Sequence, residues 1–313
     1  MQFWAIISDS FREARDRKIF WVLLALSAIV TLMMLSMGFH ADRVSLAFGA
    51  FNMPTSYYDP HTDAGRARIA AIVVHGLLDN LVGFVGVLLM IIATAGSLPT
   101  MMERGVIDVL LAKPISRSRL FLYKFLSMHV FAFVQGGAFV LMTFLAMGLR
   151  WGVWLPGYLL AAFLVVLLFS YVYCVSALVA VKTRSTLSAV LLSLAAWVIF
   201  AVVTNAPVVM EGLAPDSKSP MVQAMRVAAW IPPKTGDLPY IAARWAKAGT
   251  GLDMFPPSTF EGQDAEMRSQ LDRSREIEQR EIAKNPAWSI GTSLMFELAV
   301  VLLAMWSFAR KDF

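Results

Sequence analysis

The sequence predicts an all-α, polytopic membrane protein with six transmembrane helices, and three observations carry that prediction. Apolar residues make up 58% of the 313-residue chain and charged residues only 16%, for a mean hydropathy of +0.63. Several windows of about 20 residues are almost uncharged, the length that crosses ~30 Å of hydrocarbon as a helix. The polar segments between them differ in basic density, as loops on opposite sides of a membrane do.

The first 18 residues do not read as a signal peptide, because Asp9, Glu13 and Asp16 interrupt the start. Trp4, Ile7, Phe11 and Ala14 form an apolar stripe opposite Ser8, Arg12 and Arg15, the pattern of an amphipathic helix lying in the membrane interface. The first span is expected at 19–39. Residues 40–76 read as an outer loop whose end, Ile69–Val74, leads helically into a second span at 77–97 with Asp79 near its outer end.

Between the second and third spans lies Leu98–Lys124. Leu98, Met102, Val106, Val109 and Leu110 recur at steps of three and four, which leaves Glu103, Arg104 and Asp108 for the other side of a short amphipathic helix. Pro99 suits its start and Pro114 its stop, and Ser116 or Ser118 can cap the next helix. The remaining spans are expected at 120–148, 157–181, 186–204 and 287–308.

Residues 205–286 form a polar, helical insert between spans five and six. It offers short helices after Ser219-Pro220 and at Leu238–Ala248, then a stretch at 259–284 charged nearly all round, with Asp264/Arg268 and Glu276/Arg280 at i,i+4 spacing. The segments 1–19, 98–124, 181–186 and 309–313 carry 13 Lys+Arg against 6 Asp+Glu, whereas the longer segments on the other side carry 14 of each. Both termini and the 98–119 loop are therefore expected in the cytoplasm and the 205–286 insert outside it.

The chemistry the chain lacks narrows its class. There is no G-x-x-x-x-G-K-[ST], so it cannot hold a nucleotide in a P-loop, and no H-E-x-x-H. The four histidines are isolated in sequence, and the single cysteine, Cys174, lies in an apolar run, so no metal site is expected. The basic residues are divided among separate loops, which argues against nucleic acid as a partner. An integral membrane enzyme would need a cluster of His, Asp or nucleophile that the sequence does not offer. The better leads are polar residues inside spans: Glu297, Gln135 and Asp79. A carboxylate at the depth of Glu297 reads either as a substrate- or proton-sensitive position or as a buried structural group bonded to Ser, Tyr or Gln on a neighbouring helix.

Six spans, an interfacial N-terminal helix and the loop E-R-G-V-I-D-V-L-L-A-K-P-I-S-R-S-R-L-F-L-Y-K together resemble the ABC-2 permeases, membrane subunits of type V ABC exporters. The matching positions are Glu103, Gly105, Leu110, Leu111, Pro114, Ser116, Arg117 and Lys124, with Val106 and Asp108 as mild departures. The chain is also similar to the permease that serves copper maturation of nitrous oxide reductase. The resemblance implies that 98–119 is a coupling helix, with Glu103, Arg104, Gly105, Asp108, Pro114 and Arg117 forming the docking surface for a separate ABC ATP-binding subunit. It further implies two such subunits per transporter holding the ATP and Mg, a homodimer of permeases, and a bacterial inner (plasma) membrane location. The expected function is coupling of ATP hydrolysis by the partner to export of a substrate, without an enzyme activity or cofactor in this chain. The alternative is a mechanotransmitting scaffold that passes ATP-driven motion to an extracytoplasmic partner at 205–286.

Overall fold

The computed structural model describes residues 18–55, 58–112, 115–213, 220–247 and 284–311, with residues 8, 12, 15 and 16 before them; for some residues within helices only the backbone is described. The expected interfacial helix and the charged stretch at 259–284 lie outside the described residues, apart from these isolated positions and Lys284. Among the described residues, six helices are long and apolar enough to cross a membrane: Lys18–Ser36, Gly83–Met101, Arg117–Trp151, Pro156–Thr183, Thr186–Ala206 and Pro286–Ala309.

The chain enters the bundle as α1 (Lys18–Ser36) and then forms a small antiparallel meander of β1 (Gly38–Phe39), β2 (Arg43–Leu46) and β3 (Phe51–Pro54). The sequence predicts only a loop over 40–76. Phe39 explains the difference. Its ring packs 5.0 Å from Trp151 and 5.7 Å from Tyr58, and the Arg150 and Trp151 side chains both donate to the Met37 carbonyl. The meander is thus pinned to the far end of the third span.

Ahead of the second span, α2 (Asp63–His75) forms a helical lead-in that runs into a wide-turned π-helical stretch at Gly76–Gly86 and on through α3 (Val87–Thr94) to α4 (Ser97–Met101). After α5 (Val106–Leu111) comes α6 (Arg117–Trp151), whose start is capped by the Ser116 hydroxyl accepting from the Arg119 amide and whose end turns on Gly152 at φ +66°. At 35 residues α6 is longer than a bilayer core requires. α7 (Ala161–Thr183) follows a 3-10 turn at Pro156–Leu160, and α8 (Thr186–Leu213) follows the left-handed Arg184. In the insert, α9 (Pro220–Ala228) packs on α8, and α10 (Asp237–Lys247) lies across the Pro156–Leu160 turn. The last span is α11 (Pro286–Ala309); the Asn285 side chain accepts from the Ala287 amide, and Pro286 stands at the first helical position.

α7 is the axis of the bundle. It packs against α6, α8 and α11 along its length and meets α3 and α4 on another side. In its span 72% of positions are buried, against 28% in α1 and 22% in both α8 and α11. Phe169, Tyr171 and Tyr173 are fully enclosed, and Tyr173 stacks between Phe125 and Phe169 at 5.4 and 5.0 Å. α1, α8 and α11 therefore present broad apolar faces outward, as a helix bundle in lipid does. Hydroxyls within the spans bond the carbonyl one turn back: Ser27 to Leu23, Thr94 to Met90 and Thr143 to Phe139.

Candidate functional site

Two places in the bundle gather the chemistry-bearing residues, one at an end and one in the middle. At the end, the predicted single amphipathic helix is broken in two. α4 closes with Met102, the chain turns through Glu103-Arg104-Gly105, and α5 begins at Val106. Gly105 sits at φ +86°, a conformation that a side chain strains, which is why the break falls on this residue. The Gly105 amide donates to the Asp108 carboxylate at 3.1 Å, and the Glu103 carbonyl accepts from the Val106 and Ile107 amides.

The break changes which residues face in. Leu98, Met101, Met102 and Ile107 are buried, and α4 packs on α6 and α7. Val106 and Val109, expected on the inner side, are exposed instead and share the outer rim with Glu103, Arg104, Gly105 and Asp108. A 3.6-residue period carried through Gly105 assigned them wrongly; the left-handed turn rotates α5 so that Ile107 takes the inner place. Pro114 lies outside the described residues. Arg117 is turned inward, donating to the carbonyls of Lys311 at 2.7 Å and Ala309 at 3.5 Å. Lys311 in turn donates to the Val181 and Lys182 carbonyls at the end of α7. Burial pushes the Lys311 ammonium below its ordinary value, and nearby Arg184 adds to that effect.

In the middle, Glu297 of α11 meets α6 and α7. The Ser170 hydroxyl donates to Glu297 Oε1, and His129 Nε2 lies 2.6 Å from the same Ser170 oxygen. His129 Nδ1 lies 2.9 Å from the Phe125 carbonyl one turn back. The rings of Phe125, Phe169 and Tyr173 surround the imidazole at 4.5, 5.6 and 6.0 Å. This is not a nucleophile triad: there the base stands between serine and acid, whereas here the serine stands between base and acid.

Glu297 was singled out in the sequence; Ser170 and His129 were not. A histidine inside an apolar run was the available signal, since an ionisable group at that depth needs a partner. Gln135 does not join this group. It is buried in a small cleft between α1, α3 and α6, lined by Leu23, Val30, Met90 and Phe139, and among the described residues neither its amide nitrogen nor its oxygen finds a hydrogen-bond partner. The Asp79 side chain lies outside the described residues.

At the opposite end from α5, the insert is tied to the last span. The Ser289 hydroxyl donates to Asp237 at the start of α10, the Lys234 ammonium donates to Thr292 at 2.9 Å, and its amide donates to Ser293 at 2.9 Å. Lys284 completes the cluster 3.3 Å from Asp237.

The family model for ABC-2 family transporter proteins matches residues 4–313, nearly the whole chain. No curated protein matches it. The chain belongs to the ABC-2 transporter family and is the membrane permease subunit of an ABC transporter, a class without a nucleotide site of its own that works with a separate ABC ATP-binding partner.

Proposed function

Given that membership, we propose that this permease receives ATP-driven motion at Ser97–Ala112 and couples it to outward movement of a substrate. One observation carries the reading. The rim of Glu103, Arg104, Gly105, Val106, Asp108 and Val109 is exposed, while the residues between and before them are buried against α6 and α7. A push on such a rim passes directly into two spans, because close-packed side chains transmit displacement rather than absorb it. Charged and apolar groups side by side suit docking into a protein groove better than exposure to water alone.

In this reading both termini and α5 face the cytoplasm of a bacterial inner membrane. Two permeases pair through their apolar outer faces, and each docks one ATP-binding subunit that holds ATP and Mg. Pro114 and Arg117 then serve the edge of the docking element, with Arg117 holding the bundle end behind it. The test is ATP turnover in the assembled complex. Glu103→Arg is expected to lower permease-stimulated hydrolysis about tenfold, as loss of a central interface contact of about 1.4 kcal/mol does. Wild-type hydrolysis and transport by that variant would remove the docking assignment. Copper as cargo, implied by the likeness to copper-maturation permeases, is tested by whether copper ions change turnover of the same complex.

A second reading has its own support. The bonds from Asp237 and Lys234 to Ser289, Thr292 and Ser293 couple the insert to α11. Motion of the last span would therefore reach an extracytoplasmic partner even if nothing crosses the membrane. Deleting 259–284 distinguishes the two: loss of partner binding with efflux intact belongs to the exporter, and loss of all ATP-dependent output belongs to the scaffold.

A further inference from the structure

Hydrogen-bond accounting in the middle of the bundle leaves one proton to place. The Phe125 carbonyl can only accept, so His129 Nδ1 carries a proton, and in a neutral ring Nε2 is then an acceptor. Ser170 has one hydroxyl proton and two neighbours, His129 Nε2 and Glu297 Oε1. With a neutral imidazole and an ionised carboxylate, both neighbours accept, and one of the two close contacts has no hydrogen in it.

The chain closes when one proton is added, in either of two places. On His129 Nε2, that proton is donated to Ser170, whose hydroxyl donates to Glu297. On Glu297, it is donated to Ser170, whose hydroxyl donates to Nε2. Passing between the two arrangements moves two hydrogens across the serine oxygen and changes neither the atom count nor the net charge of the three residues. A second added proton opens the chain again, because both neighbours then donate and the serine hydrogen has no acceptor.

We propose that His129, Ser170 and Glu297 form a binding site for a single proton, held between α6 and α11 by a serine of α7. Among the described residues Glu297 Oε2 is buried without a hydrogen-bond partner, so no second donor shares the carboxylate's charge there. Tyr171 and Cys174 of α7 lie within electrostatic reach of Glu297, and Tyr173 of α7 stands against His129. On α6 the buried Lys124 lies next to Phe125, and α8 meets this part of α11 through Phe200 against Phe296. The site needs no ATP-binding subunit and no assumption about transport direction, so it stands or falls separately from the docking assignment.

The experiment is an infrared pH titration of the full-length chain in lipid nanodiscs. E297Q identifies the carboxyl bands of Glu297 by their loss. A shared proton makes the titration of Glu297 depend on both partners, so its midpoint is expected to move by about 1 pH unit or more in H129N and also in S170A. S170A removes one oxygen from a buried helix face, so it decides the matter even if H129N is not recovered folded. A Glu297 midpoint, or lack of one, that is the same in wild type and S170A overturns the proposal.

Discussion

The rim at 103–109 and the chain through Ser170 are opposite solutions to placing charge in a membrane protein. At the rim, charged side chains stand in the open and the apolar ones beneath them fix their position. In the chain, each group is held by the next, with Ser170 buried and His129 and Glu297 half-buried. The rim is built from one short stretch of sequence; the chain needs α6, α7 and α11 to arrive together. The difference teaches that the rim can be altered without unfolding the bundle, whereas the chain is part of what specifies the bundle.

The strongest way to break this contrast is to attack the rim from below. Ile107→Ala empties a buried position and is expected to cost about 2–4 kcal/mol, read by thermal unfolding in detergent. ATP coupling should fall with it, because the rim loses its seat. The sharper version is Val109→Ala at the exposed neighbour. It should leave unfolding within about 0.5 kcal/mol of wild type, while titration of the ATP-binding subunit shows weaker association. If both substitutions behave alike, the assignment of inner and outer faces is wrong.

Asp108→Ala probes a residue that belongs to both categories. Its carboxylate holds the Gly105 amide, so a loss of about 1 kcal/mol in stability is expected, apart from any docking effect. The smallest effect concerns Lys234 at the far end. Burial pushes its ammonium below the ordinary value and Lys284 adds to this, while Asp237 opposes it. A depressed lysine binds its proton less readily in the fold, so its contribution favours the fold above its ordinary pKa and is lost as pH falls through the depressed one. Unfolding followed across the alkaline range should therefore show a pH slope that shrinks in Lys234→Met.

Legibility in the sequence followed the same division. Six spans were readable because hydrocarbon imposes length and composition on each of them independently. The amphipathic segment after the second span stood out by its mixed charge and its place between spans, yet its faces differ from the spacing at Val106 and Val109. Period counting assumes an unbroken helix, and a positive φ at Gly105 is not visible in spacing. Glu297 stood out because a lone carboxylate in an apolar run is costly. Ser170 could not stand out, since a serine among α7's apolar residues is ordinary until the helices on either side supply an acid and a base. The meander at 38–54 was missed for a related reason: Phe39 and Trp151 lie more than a hundred residues apart, and nothing local announces their contact.

The knot of Arg117, Lys311 and the end of α7 has a mechanical corollary. Three helices whose tips are lashed together cannot part at those tips, so what remains to them is tilting. Under the proposed push they would move as the arms of tongs with the pivot at Arg117 and Lys311. Over the roughly 35 Å length of a 23-residue helix such as α7, a tilt of about 3° displaces the free end by about 2 Å. A small shove at the docking rim would then be delivered, magnified, at the end where α10 and the insert are fastened to α11.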